Sequence, residues 1–234
     1  MTDRWAVIPA RGGSKSIPKK NLVPVAGQPL IAYVTTTAVM SGVFTRIICS
    51  TDDRDIAREA AKYGADIHWR DSQASRDTSP VEDAIISVVG TAKSPPEWIY
   101  VLQPTSPLLR VSDIQSATQQ EVRGVNSIQT VSRIPHLLHS WNQRVIDEQG
   151  NVTFLHPDKR LEGYQKQKKP ATYSFGNLVA VRGTALVEQG TLWARPSRGV
   201  IIDSYYSLDV DIPEDLPEAE RRLSAELQVP PGTH

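Results

Sequence analysis

Three features of the 234-residue sequence predict an α/β fold with a mostly parallel sheet flanked by helices. Short β-branched runs alternate with helical segments through the first half, and such alternation implies parallel strands with helical crossovers on both faces. A glycine-paired, cationic loop follows the first apolar run without a break. A proline-started helix with acidic residues in its first turn closes the chain. The length suffices for one sizeable domain, or for a domain with a smaller appendage.

Residues 5–8 form the first expected strand and residues 29–41 the first helix. A second, buried strand over 46–50 runs into Ser50-Thr51-Asp52-Asp53, a capping cluster for a helix over 55–63 that stops at Gly64. Further strands are expected over 65–70, 98–103 and 126–132, with helices over 80–91 and 112–121. From Ile134 the texture changes: His136, His139, Trp141, a polar turn at 147–151 and a polar run at 160–169 break the alternation. Residues 135–175 are read as an insertion carrying an antiparallel hairpin and a polar loop within a single domain spanning 1–234. Strand character returns at 177–181 and 200–202. A last strand is expected over 206–210, and the closing helix over 213–227, with a frayed end from Val229.

Composition narrows the function. Lys plus Arg and Asp plus Glu both number 26, and the zero net charge argues against nucleic acid or an anionic membrane as main partner while permitting a local basic pocket. No apolar stretch could span a membrane and no leader opens the chain, so a soluble cytoplasmic protein is expected. The single cysteine, Cys49, lies in an apolar run and is expected to be a buried, inert thiol. His136 and His139 have no acidic or cysteine partner near them in sequence and are read as structural or exposed. There is no Gly-x-Ser-x-Gly nucleophile motif.

The chemistry concentrates in Arg11-Gly12-Gly13-Ser14-Lys15-Ser16-Ile17-Pro18-Lys19-Lys20-Asn21. Paired glycines let backbone N–H groups approach a ligand, successive N–H groups can form a concave anion site, and four cations add mobile positive charge. The spacing is neither the P-loop nor the dinucleotide pattern. Leaving the first strand at its carboxyl end, the loop lies where open α/β sheets bind ligands, and it suits a triphosphate. Asp209 and Asp211, two apart on a strand end, could share one side and hold Mg²⁺; alternatively Asp211 caps the final helix. Ser79 opens a capping box with Glu82, sufficient by itself, though a helix N-terminus can also serve an anion. Gln103 ends a buried strand and could donate to and accept from a polyhydroxylated ligand, or order its own loop. Arg70 could reach a base carbonyl or lie on the surface.

The whole string from Ala10 to Asn21 resembles the N-terminal signature of the acylneuraminate cytidylyltransferases, which make CMP-activated sialic and related nonulosonic acids. Leu102-Gln103-Pro104-Thr105-Ser106-Pro107-Leu108-Leu109-Arg110 resembles that family's second motif. Ser50-Thr51-Asp52 and Asp77-Thr78-Ser79 match shorter elements, and Asp209-Val210-Asp211-Ile212-Pro213-Glu214-Asp215 resembles its acidic C-terminal motif. The resemblance implies a Rossmann-like fold of the nucleotide-diphospho-sugar transferase type, CTP as donor, an acidic 2-keto sugar as acceptor, Mg²⁺ and a homodimer whose inserted region covers the neighbour's site. By the same resemblance Arg11, Gly12, Gly13, Ser14, Lys20 and Asn21 would bind phosphates, and Arg70 and Ser79 would lie near cytosine and ribose. Gln103 would meet the acceptor, and Asp209 and Asp211 the metal, with Arg11, Lys20 and Asp211 as the catalytic set. Asp211 or a metal-bound water could take the acceptor's proton. The acceptor half departs from the pattern. Pro135-His136-Leu137 lacks the family's lysine, Lys166-Gln167-Lys168-Lys169 stands where an arginine is usual, and an Asn-Gly pair is inverted as Gly176-Asn177. Lys166, Lys168 and Lys169 could hold any acidic acceptor, a phosphonate included; a non-catalytic nucleotide-binding homologue and a different nucleotide are the competing readings.

Overall fold

A computed structural model describes residues 2–70, 80–162 and 169–228. Eleven strands occur among them. β1 (Arg4–Pro9), β4 (Arg46–Thr51), β5 (Asp66–Trp69), β6 (Trp98–Leu102), β7 (Ser127–Arg133), β10 (Tyr173–Arg182) and β11 (Ser197–Ile202) build one sheet. β2 (Pro24–Val25) with β3 (Gln28–Pro29), and β8 (Arg144–Ile146) with β9 (Val152–Phe154), form two small hairpins. The sheet order is β11-β7-β10-β6-β1-β4-β5. β1 pairs in parallel with β4 and β6, β4 with β5, and β7 with β11; only β10 runs antiparallel to its neighbours. The mostly parallel α/β expectation therefore holds.

Strand alternation divides the core into two layers. Ala6 and Ile8 of β1 face α1 (Leu30–Ser41), α2 (Arg54–Lys62) and α4 (Val111–Thr118) through Ile31, Ile56 and Ile114. Trp5 and Val7 face α3 (Val81–Val89) and α6 (Gly183–Gln189) through Ile85, Val88 and Leu186. β6 is buried along its whole length, as a central strand covered by helices on both faces must be. Each fully buried Ile or Leu in these layers contributes about 1.5–3 kcal/mol. A third cluster joins Ile17, Leu30, Leu108, Val210 and Leu223, docking the last helix, α7 (Leu216–Gln228), beneath the basic loop. Among the described residues no helix is long and apolar enough to cross a membrane.

One expectation changes. Residues 206–210 are not a strand: a short 3₁₀ turn over Ser204–Tyr206 leads into irregular chain, tied to the body by the Val210 N–H donating to Thr105 O at 2.8 Å. Neither sheet edge, β5 nor β11, pairs with this segment, so the alternating Ser207-Leu208-Asp209-Val210-Asp211 belongs to no ladder. The change of texture at 134 is an excursion from the sheet between β7 and β10, carrying the expected hairpin, two 3₁₀ turns and the short helix α5 (Pro157–Glu162). His139 is buried there, its two ring nitrogens engaged with Pro170 O and the Trp141 N–H, as a structural residue should be.

Candidate functional site

The basic loop leaves β1 at its carboxyl end, and contacts from three directions fix its course. Ala10 N–H donates to Ser50 O at 2.9 Å, extending the β1–β4 pairing one residue. Gly12 then passes against the start of α2, where a Cβ would lie 2.8 Å from Asp53 Cβ, so close approach demands glycine. The expected capping cluster divides its work. Asp53 caps α2, accepting from the N–H groups of Asp55 and Ile56. Asp52 instead accepts the Gly12 N–H at 2.7 Å, so that one of the amides assigned to phosphate is engaged inside the protein. Asn21 is buried too, donating Nδ2 to Arg11 O at 2.9 Å, so its amide nitrogen shapes the loop. Gly13 faces open space and Ser14 is half-buried.

The lysines at the loop's end diverge. Lys19 pairs with Asp55 at 3.1 Å on the surface. Lys20, with 15% of its side chain exposed, reaches the acidic segment and pairs with Asp211 at 2.9 Å; Asp211 itself is 66% exposed. The helix-cap alternative for Asp211 fails, because Asp215 Oδ2 accepts the N–H groups of Asp211 and Ile212, leaving the Asp211 carboxylate to face Lys20. Val210 is fully buried between the two aspartates, which sends both to the outer side without any strand geometry. Their carboxylates lie within hydrogen-bonding reach of each other. Partial loss of water raises the Asp209 pKa, a hydrogen bond from Thr105 opposes this, and the Asp211 charge adds to the rise.

Arg70 is at the same edge and is not a free surface residue: its Nε donates to Ser50 O and Oγ, both at 3.1 Å. Burial lowers its pKa, with the Asp52 charge opposing and the Arg11 charge adding, so Arg11, Asp52 and Arg70 are electrostatic neighbours. Gln103 follows β6 beside Thr105, whose hydroxyl makes a long 3.4 Å hydrogen bond to Gln103 Oε1. Lys169 is apart, in the excursion, donating to Asn142 Oδ1 at 2.5 Å. Ser79, Lys166 and Lys168 lie outside the described residues, and with them the capping box of α3. Sequence reasoning missed Asp52 as a loop support, Thr105 as a partner of Asp209, and the buried Asp113–Asn177 pair. For Asp52 the signal was its place directly after a buried strand, which the neighbouring helix cap obscured.

Arg11 and Lys20 of the basic loop and Arg70 after β5 thus bring positive charge to the carboxyl end of the sheet, where Lys20 meets the acidic pair. That arrangement can hold a polyanion together with a hard cation, since the positive groups oppose phosphate charge and the carboxylates are oxygen ligands.

Comparison with known proteins narrows the chemistry. A family model described as Cytidylyltransferase matches residues 5–183. The chain is 33% identical over 223 residues to a CMP-N,N'-diacetyllegionaminic acid synthase of Legionella pneumophila, covering 93% of this chain and 95% of that protein. It is 27% identical over 215 residues to a pseudaminic acid cytidylyltransferase of Campylobacter jejuni, covering 90% and 91% respectively. It is 31% identical over 226 residues to an N-acylneuraminate cytidylyltransferase A of Danio rerio, 93% of this chain but 50% of that one. A solved CMP:2-keto-3-deoxy-manno-octonic acid synthetase complexed with CTP shares the fold, with a TM-score of 0.73 at 16% identity over 96% of this chain and 100% of that chain.

Proposed function

The chain belongs to the cytidylyltransferase family, and we propose that it transfers the CMP unit of CTP to the anomeric hydroxyl of a nonulosonic acid, releasing pyrophosphate. The observation that carries this reading is the junction of Lys20 with Asp211, which joins the basic loop to the acidic pair across the sheet edge. Phosphoryl chemistry of this kind depends mainly on positioning and on neutralising negative charge. Arg11 and Lys20 would hold the phosphates, with the backbone at Gly13 and Ser14 beside them. Lys20 is already held at the edge by Asp211, so little of its freedom remains to be lost on binding. Arg70 would stand toward the base and ribose, and Gln103 toward the acceptor.

The donor set fits a divalent cation: two carboxylates in mutual reach, one of them raised in pKa by its neighbour and by burial, are stabilised by a nearby positive ion. Asp209 and Asp211 would hold it, and Mg²⁺ suits an all-oxygen site completed by substrate phosphates. Such an ion supplies charge neutralisation at the phosphates and at the leaving pyrophosphate.

The excursion is read as a dimer contact that covers the partner's acceptor site. Its support is a run of outward apolar side chains, among them Leu137, Ile146 and Leu161. Lys169, together with Lys166 and Lys168, would then meet the acceptor carboxylate of the neighbouring site.

The test is pyrophosphate release with each nucleoside triphosphate and Mg²⁺, against legionaminate, pseudaminate, N-acetylneuraminate and a phosphonate. Release with CTP and one nonulosonate is expected, and Asp209→Asn should lower it by about a hundredfold or more. Turnover by Asp209→Asn near the wild-type rate removes the metal role. CTP binding without turnover on any acceptor overturns the enzymatic reading.

A further inference from the structure

We propose that Asp113 and Asn177 are positioning residues for the metal-binding acidic segment, acting through Tyr206; the inference rests on the metal reading above. Asp113 lies in the first turn of α4 and is 2% exposed. A buried carboxylate needs partners, and Arg110 supplies them locally: its backbone N–H at 3.1 Å and its guanidinium at 2.7 Å. A helix cap needs no more. Yet Asp113 Oδ2 also accepts from Asn177 Nδ2 at 3.0 Å, across to β10.

Asn177 is fully buried with every side-chain polar atom used. Its Oδ1 accepts from Thr130 Oγ1 at 2.9 Å, and its Nδ2 also donates to the backbone carbonyl of Tyr206 at 3.2 Å. It reaches this place because β10 shifts register against β7 between Phe175 and Val179. On its other side, Tyr206 is gripped by the Arg110 guanidinium, 3.6 Å from its ring centroid. Tyr206 is therefore held by its carbonyl and by its ring. Val210 is held by the Thr105 carbonyl. Between these two fixed points runs Ser207-Leu208-Asp209, outside any sheet ladder. The two anchors set where Asp209 sits, and Asp211 follows one residue beyond the second anchor. The inverted Gly176-Asn177 pair thus has a role in this chain: the asparagine is directed inward as a strut.

Groups that orient metal ligands from behind are commonly worth about ten- to a hundredfold in metal affinity. The experiment is Mn²⁺ binding in the presence of CTP, followed by electron paramagnetic resonance, on the full chain and on Asn177→Ala and Arg110→Lys. CTP affinity is measured in parallel with EDTA present. Weakening of Mn²⁺ binding by about tenfold in Asn177→Ala is expected, with a smaller loss in Arg110→Lys and unchanged CTP affinity in EDTA. Wild-type Mn²⁺ affinity in a folded variant overturns the proposal, whatever its thermal midpoint. An equal loss of CTP affinity in EDTA also overturns it, since that is general loosening. Should Asn177→Ala not fold, Arg110→Lys, altered at a partly exposed position, decides alone. If the unaltered protein with CTP binds no Mn²⁺, the metal reading itself is wrong and this inference falls with it.

Discussion

Adjacent aspartates illustrate how little residue type says about role. Asp52 and Asp53 both follow β4, but one holds the Gly12 amide and the other caps α2. Cys49 shows the converse, a side chain whose environment is legible from its neighbours alone. Enclosed between β1 and β5, its thiol is pushed up to about 12 by burial, the Arg70 charge acting in the opposite direction. The unfolded thiol loses its proton near the ordinary value of 9.0 and the folded one does not, so above that pH the unfolded chain binds fewer protons. The stability linked to Cys49 is thus fully present below about pH 9 and is lost as pH rises toward 12. Urea midpoints measured on either side of pH 9 should fall with pH, and Cys49→Ala should flatten part of that fall. An identical pH slope in the variant would refute this account. Thiol reagents at neutral pH should label Cys49 only after unfolding.

At the scale of elements, the irregular pieces position the site. The acidic segment is not a strand, and β10 is not a uniform one: its register shift beside β7 places Asn177 inside. That bulge depends on Gly176, where a Cβ would stand 2.6 Å from Thr130 Oγ1 and 2.8 Å from Thr130 backbone carbon. Backbone cannot yield as a flexible side-chain end can. Gly176→Ala should therefore cost about 1–3 kcal/mol by forcing the two strands apart. Urea denaturation checks this, and a midpoint equal to that of the unaltered protein would show that the strands separate freely.

For the whole molecule, two apolar layers hold the sheet, and a third, smaller cluster ties Ile17, Leu108 and Val210 together under the site. The basic loop, the segment after β6 and the acidic segment therefore share one support, and a local unfolding of α7 would loosen all three. The excursion is the opposite case: Leu137 and Leu161 are each 81% exposed and Ile146 71%, with no helix covering them among the described residues. These exposed apolar side chains are the support for the proposed dimer contact. Light scattering is expected to give the mass of two chains, and the double variant Leu137→Lys/Ile146→Lys the mass of one. A monomeric parent protein would remove the dimer and the shared acceptor site together.

The alternation of strands and helices, the capped α2, the buried Cys49, the hairpin in the excursion and the cationic loop at the end of β1 were all legible in the sequence. Each follows from residues within about ten positions of one another, where periodicity, turn chemistry and capping act. The family signature was legible for the same reason, because its motifs are short and contiguous. What local pattern could not supply was the antiparallel course of β10, the inward turn of Asn177, the second role of Asp52 and the true form of the acidic segment. Ser207-Leu208-Asp209-Val210-Asp211 alternates as a strand does, but a strand exists only where the backbone pairs in a ladder, and this segment pairs with neither edge of the sheet. Lys20 and Asp211 are 191 residues apart in the chain and 2.9 Å apart in the fold. Their meeting is decided by packing across the whole sheet edge, through a buried Val210 and a buried Ile17 that no local propensity brings together.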